Sequence, residues 1–191
     1  MTHTPALLVI DMQNTTVAMA HRAGETVAAI AGLSERARAA GVPVVTIRQG
    51  DAGMVPGTEG WHVVPELAPR EGETVVDKTA PDSFLGTDLG AVLEGLGVTE
   101  VIVTGFATEV CVDTTARQAL SRGYDLVVVA DGHTTSLRGE ADTDLVPADA
   151  SIAQCNAIYR TIGWPGRRIR VRAAADVDFT APEGAGGLTP A

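Results

Sequence analysis

Lysine is almost missing from this chain: among its 14 Lys and Arg residues, only Lys78 is a lysine. Positive charge as a whole is scarce, since 24 Asp and Glu against those 14 leave a formal net charge of −10. A surface so short of cations is poorly suited to displacing counterions from a polyphosphate, which argues against nucleic acid and anionic membranes as partners. Cysteine is as sparse. Cys111 and Cys155 are too few for a disulfide framework, and no Cys/His set has structural-zinc spacing, so both thiols are expected to be reduced. Long apolar runs are absent too: LVVVA at 126–130 has the length of a core strand, far below a bilayer span. No basic-then-apolar leader precedes Asp11, and the expectation is a soluble, cytoplasmic protein. The first apolar run is not followed by a Gly-x-Gly-x-x-Gly turn and no P-loop occurs, which counts against a nucleotide-binding module.

What the chain does have is a regular alternation of two periodicities. Its 191 residues, 45% of them hydrophobic, suit one well-buried domain, placed at 1–178 with a loosely held tail at 179–191. Strands are predicted at 6–10, 42–47, 74–77, 100–104, 125–130 and 168–171, the first a continuous apolar run of the kind buried on both faces. Helices are predicted at 25–40, where Gly41 stops the helix, at 87–96 with Thr87 or a neighbour as cap, from the Cys111 segment to about 122, and at 147–162. Residues 11–20 read as loop, as does the polar stretch from 132 onward, and Phe84 falls in an exposed turn. The Gly- and Pro-rich stretch 48–70 has no clean period, and a loop of that length covers a pocket or reaches a neighbouring subunit. Alternating strands and helices specify an α/β fold, a Rossmann-like three-layer sandwich around a mostly parallel sheet.

Ligands bind such sheets at the carboxyl ends of the strands, and three chemically capable residues fall there. Asp11 follows the first strand, Lys78 the third and Cys111 the fourth. A lone cysteine is more often a small buried hydrophobe than a nucleophile. Here it follows a Gly105–Phe106–Ala107 turn and opens a helix, where unpaired N–H groups and the helix dipole favour thiolate. With Lys78 as a cation beside it, the sulfur is expected to be anionic near pH 7, and Asp11 to move protons. None of the four histidines stands at a strand end as an obvious base. His133 remains a candidate pocket residue, and Cys155 reads as a structural helix residue.

The segments VIDMQN at 9–14, Lys78 followed by DSFLGTDL, PGTEGWHVVPEL in the long loop, and TGFATEVCVDTTARQAL at 104–120 resemble the isochorismatase-like cysteine hydrolase superfamily. The resemblance runs from about residue 6 to 171 and implies a six-stranded sheet with helices on both faces. It implies a catalytic triad of Asp11, Lys78 and Cys111, and a cis peptide between Phe106 and Ala107 that aims the Ala107 and Cys111 N–H groups as an oxyanion hole. Gln13, Phe84 and Phe106 are the candidate substrate contacts, with a capping hydrophobe the competing reading for each phenylalanine. It further implies no cofactor, a small-molecule amide, ureido or lactam substrate, and a homodimer or homotetramer.

Departures from the pattern narrow the expectation. Nicotinamidases of this superfamily bind a metal through an Asp-x-His element, whereas Asp51 here precedes Ala52 and Gly53 and His62 stands alone, so no metal is expected. True isochorismatases lack the cysteine, which turns the expectation toward C–N cleavage. The usual DMQNDF reads DMQNTT, with Thr15 and Thr16. A streptothricin-type lactam hydrolase, a ureido or carbamoyl hydrolase, a nicotinamidase and a non-catalytic Rossmann-like binding module are the competing readings.

Overall fold

The computed structural model describes residues 3–139 and 144–180, and all six strands lie within them. In chain order they and the helices are β1 (Pro5–Ile10), α1 (Asn14–Ala18), α2 (Ala23–Ala39), β2 (Val44–Gln49), β3 (Thr74–Lys78), α3 (Leu89–Gly95), β4 (Glu100–Phe106), a π-turn (Thr108–Val112), α4 (Asp113–Ser121), β5 (Asp125–Thr134), α5 (Ala148–Thr161) and β6 (Ile169–Arg172). The sheet order is β3-β2-β1-β4-β5-β6, and every neighbouring pair is parallel.

Strand alternation sorts the core into two layers. Ala6, Leu8 and Ile10 of β1 and Val101 and Val103 of β4 face the buried residues of α3, α4 and α5. Leu7, Val9 and Ile102 face Ile30, Leu33 and Ala37 of α2. Each fully buried Leu, Ile or Val side chain contributes about 1.5–3 kcal/mol, so these two faces account for why β1 and β4 sit at the centre.

The structure corrects the sequence reading at several points. Residues 11–20 are not all loop, because Asn14–Ala18 forms α1. β5 does not end at Ala130 but continues to Thr134, pairing His133 and Thr134 with Gly105 and Phe106 after a register shift between Val103 and Gly105. The helix predicted at 87–96 runs only from Leu89 to Gly95, with Asp88 at its cap position. Phe84 is not exposed. Its ring is buried in the first core layer, stacked on Tyr124 at 6.2 Å, with the Arg122 guanidinium over it at 4.8 Å. Phe179, at the head of the expected tail, packs against the second layer beneath Arg36, whereas residues 181–191 lie outside those described.

The 48–70 stretch folds over its own chain's β1 end through two short 3-10 turns, Glu59–Trp61 and Pro65–Leu67. Asn14 N–H donates to the His62 carbonyl at 2.8 Å and Val64 N–H to the Met12 carbonyl at 3.1 Å. The Arg48 guanidinium lies over the Trp61 ring at 3.8 Å and binds Asp77 at 2.7 and 2.9 Å.

β1 and β4 approach so closely that Gly105 has no room for a side chain. Its φ is +121°, and an added Cβ would lie 2.0 Å from the Ile10 carbonyl oxygen, one residue before Asp11. Gly105→Ala is expected to destabilise the fold by about 3 kcal/mol or more, read as a fall in the urea midpoint; a parent-like midpoint would contradict this packing.

Candidate active site

The chain order turns back between β1 and β4: β2 and β3 lie on one side, β5 and β6 on the other. That reversal leaves a crevice at the strand carboxyl ends, and the three predicted residues meet there.

Asp11 leaves β1 with φ +52°, a left-handed conformation that Asp tolerates better than most residues. Its N–H donates to the Ile47 carbonyl at 2.8 Å, and its carbonyl accepts the Thr16 hydroxyl at 2.5 Å. Thr16, one of the two departures from the common motif, therefore holds the turn that presents the carboxylate.

Lys78 ends β3, two strands away, and its stem reaches past β2 with the side chain fully buried. Its ammonium stands 2.7 Å from Asp11 Oδ2, 2.7 Å from Gln49 Oε1, 3.1 Å from the Ala80 carbonyl and 3.3 Å from Cys111 Sγ. Asp11 Oδ1 is buried and has no hydrogen-bond partner.

Cys111 is not in the first turn of a regular α-helix, as the spacing suggested, but is the fourth residue of the π-turn that precedes α4. Such turns are rare and cluster at functional sites. The Phe106–Ala107 peptide bond ahead of it is cis. Val110 and Val112 N–H both donate to the Ala107 carbonyl, at 3.0 and 3.1 Å. Ala107 is buried, and Phe106 is half-buried against the second core layer.

The electrostatics run against the expectation of a sulfur that is anionic near pH 7. Burial pushes the Cys111 thiol up to about 11, the Asp11 charge adds to the rise, and Lys78 opposes it. Burial also raises Asp11 above the usual carboxylate range against the pull of Lys78. Desolvation outweighs the cation because Lys78 is divided among several acceptors, a sharing that strand-end spacing does not reveal. A raised carboxylate is a better base, so the pair suits proton transfer during attack better than a preformed thiolate. The rate of Cys111 alkylation by iodoacetamide is expected to climb about tenfold per pH unit between about pH 7 and 9, as a thiolate fraction far below its pKa must. A plateau below pH 8 would show that the sulfur is already ionised. Cys155, buried and pushed up to about 12, should remain unlabelled in the folded protein.

The proposed substrate contacts fare differently. Gln13 is fully buried and its amide is fully occupied: Nε2 donates to the Gln49 and Trp61 carbonyls at 2.9 and 2.8 Å, and Oε1 accepts the Gln49 N–H at 2.8 Å. It braces the long loop and has no donor left for a ligand. Phe84, in the core, is turned to Tyr124 instead. Gln49 was missed by the sequence reading, which ended β2 at Ile47; the polar Arg48–Gln49 pair at a strand end was the available signal. Gln49 Nε2 donates to Asp51 Oδ2 at 3.1 Å, while Asp51 Oδ1 accepts the Gly53 and Met54 N–H groups at 2.8 and 3.0 Å. His62 is exposed, and among the described residues no three His, Cys, Asp or Glu side chains are grouped to hold a metal. His133 is buried and bonded to Thr108 and Asn156. No helix among the described residues is long and apolar enough to cross a membrane.

The family model of the isochorismatase domain matches residues 5–157. Streptothricin hydrolase of Streptomyces noursei is 39% identical over 93% of this chain, which spans 65% of that protein's length. Ureidoacrylate amidohydrolase of Variovorax paradoxus is 31% identical over 71% of this chain and 70% of its own. The crystal structure of an isochorismatase from Pseudomonas putida KT2440 superposes with a TM-score of 0.79 at 30% identity, covering 91% of this chain and 90% of that one.

Proposed function

The chain belongs to the isochorismatase family, and from that premise we propose that it is a cysteine-dependent hydrolase cleaving the C–N bond of a small amide, ureido, carbamoyl or lactam compound. The observation that carries the reading is the buried Lys78 ammonium, 2.7 Å from Asp11 Oδ2 and 3.3 Å from Cys111 Sγ. A nucleophile, a base and a cation at one point are what covalent acyl transfer needs.

In this mechanism Asp11 takes the Cys111 proton as the sulfur attacks the acyl carbon. Coupling the two events avoids a free thiolate, which burial makes costly. The oxyanion meets the Ala107 and Cys111 N–H groups, a form of charge stabilisation that often supplies the largest part of a rate enhancement. Lys78 balances the charge as it passes from Asp11 to the tetrahedral adduct. Protonated Asp11 then gives its proton to the leaving nitrogen, which departs as amine or ammonia. The thioester is hydrolysed by water that Asp11 deprotonates, and the sulfur leaves and regains its proton.

Of the two relatives described above, one is named an amidohydrolase of ureidoacrylate and the other a hydrolase of streptothricin, and the 39% identity to the latter favours the streptothricin-type lactam reading. The net charge of −10 would draw in a polycationic lactam by long-range steering. Occupation of Asp51 within its own turn is unfavourable to the metal-dependent nicotinamidase reading. A panel covering lactam, ureido, carbamoyl and nicotinamide compounds, assayed for new amine or ammonia, should show turnover in one of the first three classes. No turnover in any of them, or turnover only of nicotinamide with added metal, would overturn the assignment.

A further inference from the structure

One buried titratable side chain has no part in the chemistry above. His133 is 2% exposed, with Nδ1 2.9 Å from Thr108 Oγ1 and Nε2 3.1 Å from Asn156 Oδ1. Asn156 in turn donates from Nδ2 to the Ala130 carbonyl at 3.0 Å. The far end of this chain sets the direction of each proton in it. A carbonyl only accepts, so Asn156 faces Ala130 with its NH2 and presents Oδ1 to the ring. Oδ1 also only accepts, so Nε2 carries the hydrogen. A neutral imidazole has one such hydrogen, which leaves Nδ1 a lone pair and makes the Thr108 hydroxyl the donor. Burial lowers the His133 pKa below its ordinary value, in keeping with a neutral ring.

Thr108 is fully buried and is the first residue of the π-turn whose fourth residue is Cys111. Its hydroxyl crosses to β5, and no side chain caps the π-turn. The β4–β5 register shift sets His133 opposite Gly105, next to the strand end from which the turn departs. A π-turn is a rare conformation, and an anchor at its first residue fixes the direction in which it carries the sulfur.

We infer that Thr108, His133 and Asn156 form a positioning relay, from α5 through β5 to the π-turn, that holds Cys111 and the adjoining backbone N–H groups at the angle the substrate carbonyl requires. Its kinetic consequence rests on the hydrolase reading; its geometry does not. None of the three is a catalytic residue, since none touches the sulfur or the groups around it.

The test uses the full chain. Nitrogen–proton correlation spectra of the imidazoles should show His133 as the Nε2–H tautomer around neutral pH, and an Nδ1–H tautomer would overturn the relay. Thr108→Val keeps the shape and removes the donor. It should lower kcat roughly 10- to 100-fold through misplacement of the nucleophile, leave KM within about twofold, and change the rate of Cys111 alkylation several-fold. Thr108→Ser should restore both rates. Parent-like kcat and alkylation in Thr108→Val, or no rescue by Thr108→Ser, would overturn the relay. Where Thr108→Val does not fold, Asn156→Leu probes the other end: the His133 hydrogen should move to Nδ1 and kcat fall by the same factor, and a parent-like tautomer and kcat would count against it. If the parent hydrolyses nothing in the panel, the hydrolase reading fails alone, and the tautomer and alkylation results still decide the relay.

Discussion

Cys111→Ala is expected to fold as the parent does and to lose hydrolysis by on the order of 10⁴-fold or more, the scale on which removal of a covalent nucleophile acts. Fold and activity separate cleanly here. Cys111 is only partly buried, at the edge of the first core layer, so losing its sulfur leaves little cavity and costs about 1 kcal/mol or less. The chemistry has no substitute, because Cys155 packs beside Tyr159 in the buried helix layer rather than at the strand ends. Mass spectrometry of the acid-quenched parent turning over substrate should show the acyl group on the Cys111 peptide, and the variant should show none. Undiminished turnover by Cys111→Ala would end the proposed mechanism.

Breaking the Asp11–Lys78 pair should produce the largest loss of stability. Both side chains are almost entirely removed from water, at 3% and 0% exposure, and 2.7 Å apart. Replacing one partner leaves the other buried without its countercharge, which typically costs about 3–5 kcal/mol. Lys78→Met strands the Asp11 carboxylate, whose Oδ1 already has no partner. Asp11→Asn leaves the ammonium with neutral acceptors at Gln49 and Ala80 and the sulfur, so its penalty should be the smaller of the two. The double variant Asp11→Asn/Lys78→Met removes both charges and should recover a large part of the Lys78→Met loss, since well-packed neutral replacements of a buried pair are often nearly neutral. Its hydrolysis should stay absent. Urea midpoints of the three variants read the coupling directly, and additive losses in the double variant would show that the two groups do not depend on each other for stability.

Much of this site is legible in the sequence, and particular residues show why. Asp11, Lys78 and Cys111 each follow an apolar, β-branched run, and parallel strands deliver whatever follows them to one edge of the sheet. The layered fold was legible for the same reason, because period-two and period-three-to-four apolar patterns are local properties of the chain. The exposure of Phe84 was misread because burial is not local. A phenylalanine in a Gly- and Asp-rich turn reads as exposed until Tyr124 and Arg122 arrive from another part of the chain to cover it. The resemblance offers Gln13 as a substrate contact, and only the fold brings Gln49 and Trp61 to both ends of its amide. The end of β5 was missed because DGHTT has the composition of a loop, and only pairing with Gly105 and Phe106 holds it extended.

The sequence by itself determined the chain order of the six strands and of every helix but α1, the dearth of cations, and which three side chains arrive at the carboxyl ends of the strands. Tertiary structure alone decided that Lys78 is divided among four acceptors, that burial drives the Cys111 thiol upward against the pull of Lys78, and that His133 is bonded to Thr108 and Asn156. The physical reason is the same in each case. A periodic pattern is written in neighbouring residues, whereas desolvation and hydrogen-bond direction depend on everything that surrounds a group, most of it contributed by segments far away along the chain.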